Sequence, residues 1–149
     1  MDEKYAGFRE LAEQAKAQKD RVLSAGTGGW EPHSHALYKT ILPQLVAKYG
    51  PQKGRNMVTL LAYLHASKVG EMAPLSIPVE LRGWAMVSNA TITADLGMKE
   101  GTLIELKKAL VAERLLIVRK RAYNGNLKDY YLPFYYPYDG EIVSDYLFG

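Results

Sequence analysis

SNATITADLGMKEGTLIELKKALVAERLLIVRKRAYNGNLKDYYL, Ser88 to Leu132, decides how the rest of the chain is read. Ser88 is a residue type favoured at helix N-caps, and Asn89–Leu96 follows it with Ile92 and Leu96 on one side. Gly97 supplies a helix stop, because glycine enters the left-handed region at no steric cost. After the tight segment Gly97–Gly101, a second helix is predicted from Lys99 or Glu100 to Glu113. Leu103, Leu106, Leu110 and Val111 form its buried face, and Thr102, Glu105, Lys107, Lys108 and Ala112 lie around the remainder. Leu115–Val118 is an apolar run short enough for a strand. Asn124-Gly125 marks a tight hairpin turn, since both residues tolerate positive φ, and Leu127–Leu132 is the return strand.

Short helix, tight turn, second helix and hairpin is the order of a helix-turn-helix with a wing. Duplex DNA suits that shape. A helix about 10–12 Å across fits a major groove of about 12 Å. Its N-terminal half presents side chains to base edges, while a basic hairpin beside it rests on the backbone or reaches a minor groove. The expected class is therefore mainly α with a small β-hairpin (α+β): a winged helix-turn-helix with an extra N-terminal helix. Three segments are expected: a helical arm at 1–29, the DNA-binding domain at 30–133, and an aromatic, acidic extension at 134–149.

Upstream, residues 2–23 read as a helix with Tyr5, Phe8, Leu11, Ala12, Ala15, Val22 and Leu23 at roughly helical spacing. Its thin stripe suits packing on the domain, pairing with a second copy, or standing free. GTGG at 26–29 breaks the chain. A further helix starts near Ser34 and ends at Tyr49-Gly50-Pro51, with a kink or break expected at Pro43. Another is expected from about Gly54 to Ser67. Residues 70–87 read as loop or short extended pieces, covering the core through Ile77, Val79, Leu81 and Trp84.

Gly83 to Pro133 resembles the winged-helix domains at the N-termini of plasmid and phage replication initiators. The likeness rests on Trp84, on Ser88-Asn89 ahead of the helix, and on Ile92 and Asp95-Leu96-Gly97. Thr102, Leu110, the Leu115-Leu116 pair, and an Asn/Gly wing ending in Tyr-Tyr-Leu complete it. The helix at 54–67 falls where such domains place their first helix, so the resemblance spans residues 54–133. It implies a DNA-binding fold and a role in initiating plasmid or phage replication. Two positions depart from the pattern. Lys99 stands where a small capping residue is usual, which weakens the helix start by about 1 kcal/mol. Arg114 stands where glycine is usual, and a left-handed conformation there would cost about 1 kcal/mol, so the turn and the angle of the wing are in question.

Charge is distributed to match. Residues 99–128 carry eight cations against three anions, whereas Asp129 onward has four acids and no Lys or Arg. A concentrated basic segment is the electrostatic footprint that a polyanion needs. The absence of cysteine excludes disulfides and thiolate metal sites and suits a reducing cytoplasm, the expected location. No apolar run is long enough for a membrane span. No cofactor is expected: Gly26–Gly29 lacks the Lys-Ser/Thr of a phosphate loop. His33 and His35, with only His65 elsewhere, do not make a metal site. No catalytic constellation is visible, so the chain is not expected to be an enzyme.

The residues assigned to DNA are Ser88, Asn89, Lys99, Thr102, Glu105, Lys107, Lys108, Arg119, Lys120, Arg121, Asn124, Asn126 and Lys128. Strand alternation means Arg119, Lys120 and Arg121 do not all meet one backbone. Glu105 either accepts from cytosine N4 or pairs with Lys108 three residues on. The aromatic cluster from Tyr130 to Phe148 lacks interleaved cations, so stacking on single strands is disfavoured. It instead packs back on the domain or meets a protein partner. The leading expectation is a sequence-specific binder of double-stranded DNA. A dimeric transcriptional regulator, with a homodimer formed through the N-terminal helix, is the second. A protein-interaction adaptor using residues 134–149 is the third.

Overall fold

The computed structural model describes residues 6–24, 35–69 and 81–140. Along them run α1 (Phe8–Ser24), a π-helical turn (Leu37–Ile41), α2 (Leu42–Tyr49), α3 (Pro51–Ala66), α4 (Asn89–Leu96), α5 (Glu100–Ala112), β1 (Leu116–Tyr123) and β2 (Asn126–Pro133). The chain is mainly helical with a small antiparallel sheet, and α4, α5 and the hairpin stand in winged helix-turn-helix order after α1. It divides into two compact units, residues 1–32 and 33–149. In the first, the side chains from Phe8 to Arg21 are exposed, and Arg9 pairs with Glu13 one turn on at 3.2 Å. The expected contributions of Tyr5, Val22 and Leu23 to an apolar stripe lie outside the described side chains. So do the Ser34 cap and core coverage by Ile77 and Val79.

Pro43 does not break its helix. The turn ahead of it widens instead: the Leu42 N–H reaches back five residues to Leu37 O, and α2 continues with Pro43 in its first turn. A proline cannot donate to the preceding turn, and a single widened turn absorbs that missing bond. The helix ends at Tyr49 as expected, and Pro51 also opens the next one, three residues before the expected Gly54. Proline suits the first helical position, where its missing N–H would have had no partner. Gly50, at φ +91°, makes the corner and donates its N–H to Val46 O at 2.9 Å.

Leucine-rich faces converge on one core. Leu37, Ile41 and Leu45 pack with Met57, Leu60, Leu61 and Leu64 of α3, and with Ile92 of α4. Leu103, Leu106 and Leu110 of α5 and Leu116 and Val118 of β1 close it. Each such side chain, fully buried, contributes about 1.5–3 kcal/mol. Gly54 lets α2 and α3 touch: a Cβ there would lie 2.6 Å from Val46 N and 2.7 Å from Val46 Cα.

The hairpin pairs Leu116 with Pro133 through to Tyr123 with Asn126. Asn124 (φ +50°) and Gly125 (φ +82°) both take the positive φ that a tight two-residue hairpin turn demands. Ala85 adds a short third piece, exchanging backbone hydrogen bonds with Tyr131 at 2.8 and 2.9 Å. Leu81 and Trp84 nearby are half-buried. Arg114 does adopt the left-handed conformation, at φ +61°, so the turn into the wing keeps the geometry usually made by glycine. Phe134 N–H donates to Leu115 O at 3.0 Å and Tyr138 N–H to Arg114 O at 2.8 Å. The Arg114 guanidinium donates to the carbonyls of Tyr138 and Gly140. Residues 134–140 thus fold back on the domain, with Tyr135 stacked on His65 at 3.9 Å between ring centroids.

Two glycines should respond oppositely to a methyl group. Gly54→Ala drives Cβ into the backbone of α2 and is expected to cost about 1–3 kcal/mol in urea unfolding. Gly101→Ala meets nothing within 4 Å in a helical turn and should add about 0.5–1 kcal/mol. Equal shifts for the two would contradict the close α2–α3 crossing.

Candidate nucleic-acid interface

The helix pair is held at both ends of its turn. Ser88 Oγ accepts from Thr91 N–H at 3.1 Å, capping α4. Gly97 takes φ +63° and ends it. Tyr63 of α3 donates to Asp95 Oδ2 at 2.5 Å, tying the end of α4 to the core. Burial, and then the Asp95 hydrogen bond, push the Tyr63 hydroxyl up to about 12. Lys99 precedes α5 in extended conformation and makes no side-chain cap, so this exposed residue stands at the start of α5.

Seen along its axis, α5 buries Leu103, Leu106, Lys107, Ala109 and Leu110. Gly101, Thr102 and Glu105 are exposed, with Lys108 half-exposed. Glu105 and Lys108 approach to 4.0 Å, the internal pair that the sequence allowed. Thr102, Glu105 and Lys108 therefore form the row available to a groove.

Lys107 does not belong to that row. It is 2% exposed, where the sequence placed it on the open side of the helix. Its Nζ donates to Asn89 Oδ1 and to the Tyr131 hydroxyl, each at 2.5 Å, and lies 4.8 Å from the Tyr131 ring centroid. Burial pulls its pKa down, while Asp129 acts in the opposite direction. Asn89, also assigned to DNA, is thereby engaged in holding this ammonium. Both residues position the interface from beneath. The spacing carried the signal: Lys107 lies four residues after Leu103 and three before Leu110, on the buried stripe.

The wing register sorts the other cations. Lys120 faces Asp129, at 3.8 Å, on the side that continues from Val118 and Tyr131. Arg121 stands opposite Lys128 on the other side, where Arg119 faces Tyr130. Arg121 and Lys128 are exposed and Arg119 is half-buried. Like charges opposed across a ladder repel each other, and an anion between them would relieve that. Asn124 and Asn126 are exposed at the tip. Ser88 is exposed as well, so the start of α4, the outer row of α5 and the end of the wing all remain accessible.

Two features gave no sequence signal. Tyr49 at the end of α2 donates to Glu113 Oε1 at 2.6 Å, and Lys48 meets the same oxygen at 2.5 Å. Lys48 first, and then Tyr49, draw the Glu113 carboxyl below its usual range. Burial, followed by Glu113, pushes the Tyr49 hydroxyl up to about 12. Secondly, a hollow between the wing and the start of α4 is lined by Ser88, Asn89, Lys120, Asp129 and Tyr131 among others.

Among the described residues no group of three His, Asp or Glu could hold a metal ion. Of the His33-Ser34-His35 cluster, only His35 is described. No described helix is long and apolar enough to cross a membrane. No protein-family model, curated protein or solved structure matches the chain.

Lys107→Ala removes the ammonium shared by Asn89 Oδ1 and the Tyr131 hydroxyl, leaves these two their own 3.4 Å hydrogen bond, and should destabilise by about 1–3 kcal/mol in total. Lys108→Ala should stay within about 0.5 kcal/mol. Urea midpoints for the two variants check this; a smaller loss for Lys107→Ala would place its ammonium in solvent. The Tyr49 shift has a defined sign. Its folded pKa lies above the unfolded 10.0, so the stability it adds is complete below pH 10 and is lost as pH climbs toward 12. Tyr49→Phe should flatten the decline of the unfolding midpoint across that window, and an unchanged slope would disprove the assignment.

Proposed function

We propose that this chain is a sequence-specific binder of double-stranded DNA, a binding protein rather than an enzyme. α5 would enter the major groove and the basic wing would rest on the backbone or in a minor groove. The observation that carries the reading is the accessible row Thr102, Glu105 and Lys108 on the second helix of a helix-turn-helix, beside a hairpin that opposes Arg121 to Lys128. Hydroxyl, carboxylate and ammonium at successive turns can discriminate donors from acceptors on base edges. Lys99, Arg121 and Lys128 supply sequence-independent attraction to phosphate, and Asn124 and Asn126 supply polar contacts at the tip. Lys120 is partly neutralised by Asp129 and contributes less. The role in initiating plasmid or phage replication rests on the resemblance of residues 54–133 to initiator domains.

The aromatic segment favours this reading over an adaptor. Phe134 and Tyr138 stack on each other at 5.0 Å, Tyr135 is stacked on His65, and Tyr136 is the aromatic left 60% exposed among residues 134–140. Of these described aromatics, Tyr135 packs against the core, and Phe134 and Tyr138 cover each other.

Selection of bound duplexes from a random pool, followed by salt titration, tests the proposal. Enrichment of tandem repeats supports an initiator, a palindrome points to a dimeric regulator, and no retained duplex refutes DNA binding. The logarithm of affinity should fall with the logarithm of salt, with a slope of about −0.9 per phosphate neutralised. Arg121→Ala should reduce that slope by about one across all sequences. Thr102→Ala or Glu105→Ala should instead alter which sequences are bound.

A further inference from the structure

On the side of α5 away from Lys107, the corner between α2 and α3 comes up beside the reader helix. Tyr49, Gln52, Lys53 and Asn56 line a hollow there together with Thr102 and Glu105 of α5. This hollow opens on the same residues proposed to read bases, and its other wall comes from α3 and the end of α2, where the sequence assigned no DNA contact.

The corner is built to hold a cation in place. Lys53 Nζ lies 5.4 Å from the centroid of the Tyr49 ring, within range of a cation–π attraction. That ring is itself anchored, because the Tyr49 hydroxyl donates to Glu113 Oε1. Gly54 lets α3 lie directly against the backbone of Val46, where a Cβ would clash, so the base of the corner is closely packed. An ammonium restrained in this way loses less conformational freedom on meeting a ligand than one on a free stem. Gln52 and Asn56 add side-chain amides, which donate to anionic oxygens as well as accepting. The one carboxylate on the rim, Glu105, has its charge offset by Lys108 at 4.0 Å.

We propose that the α2–α3 corner is a second phosphate-gripping element. Lys53, with Gln52 and Asn56, holds the sugar–phosphate backbone of the strand that borders the groove entered by α5. The wing then takes a different stretch of backbone, so the reader helix is held from both sides. Contacts of this kind fix the register of the helix and carry no sequence information themselves. The inference rests on the DNA-binding reading above and adds a contact surface to it.

The test uses the full chain and two fluorescein-labelled duplexes, one of random sequence and one from the selection. Anisotropy is read across a salt series. Lys53→Ala should weaken both duplexes by the same factor and reduce the salt slope by about one. Lys53→Glu should weaken them further, and Lys53→Arg should restore most of the affinity. Gln52→Ala with Asn56→Ala should lower affinity for both duplexes without changing the slope. Lys39→Ala removes an exposed cation from the π-helical turn and is the control for net charge, with no change expected. If Lys39→Ala and Lys53→Ala cause equal losses, only total charge matters and the corner is not a contact. If the wild-type chain binds and Lys53→Ala matches it, the corner proposal falls while DNA binding stands. If the wild-type chain retains no duplex, the DNA-binding reading itself falls. Unfolding midpoints establish that each variant is folded; should Lys53→Ala unfold, the comparison of Lys53→Arg with Lys53→Gln decides.

Discussion

One buried ammonium, Lys107 Nζ, governs how α5 meets the wing. Taking such a charge out of water costs several kcal/mol unless oxygens replace the solvent. Asn89 Oδ1 from the start of α4 and the Tyr131 hydroxyl from β2 do so, and the face of the Tyr131 ring adds to them. Leucine contacts tolerate small rotations, since apolar burial is non-directional. Hydrogen bonds weaken steeply off axis, so three elements that meet at one nitrogen have few relative orientations available. A polar group in a largely apolar core thus acts as a specifier of geometry between α4, α5 and the hairpin.

A second cation performs related work at the other end of the wing. Arg114 occupies a left-handed turn that would cost a non-glycine residue about 1–2 kcal/mol. Its guanidinium holds the carbonyls of Tyr138 and Gly140, while its own carbonyl accepts from Tyr138 N–H. Charge-assisted hydrogen bonds of this kind offset the strain. Glycine would make the turn more easily but could not hold the segment that follows. Arg114 at this turn is therefore accounted for by the segment at 134–140 that its guanidinium holds.

Local signals were legible wherever one residue's own chemistry decides the backbone. Ser88 caps, Gly97 and Asn124-Gly125 turn, and the Leu103-Leu106-Leu110 stripe faces inward, as their types and spacing predict. The wing's alternation was also legible, because side chains along a strand point to opposite faces with period two. What failed had a common cause. Lys107 was assigned outward because charge usually means exposure, yet its position on the helix pointed inward. Tyr49-Gly50-Pro51 does end its helix, but Pro51 also starts the next one, and the kink or break expected at Pro43 takes the form of a widened turn just before it. In each case the residue type allowed two outcomes, and for Lys107 partners distant in sequence chose between them.

The sequence by itself determined the order of elements, the helix-turn-helix geometry around Gly97, the register of the hairpin, and the concentration of cations between residues 99 and 128. These depend on φ/ψ preference, periodicity and composition, which act over a few residues. Only the tertiary structure decided which cations face outward, that Asn89 and Tyr131 close on Lys107, that Arg114 holds the chain at 138–140, and that Lys53 stands beside Thr102. Those outcomes depend on desolvation and on partners brought together from separate helices and strands. The energy of a charged side chain is set by what surrounds it, and a linear sequence does not contain those surroundings until the chain has folded.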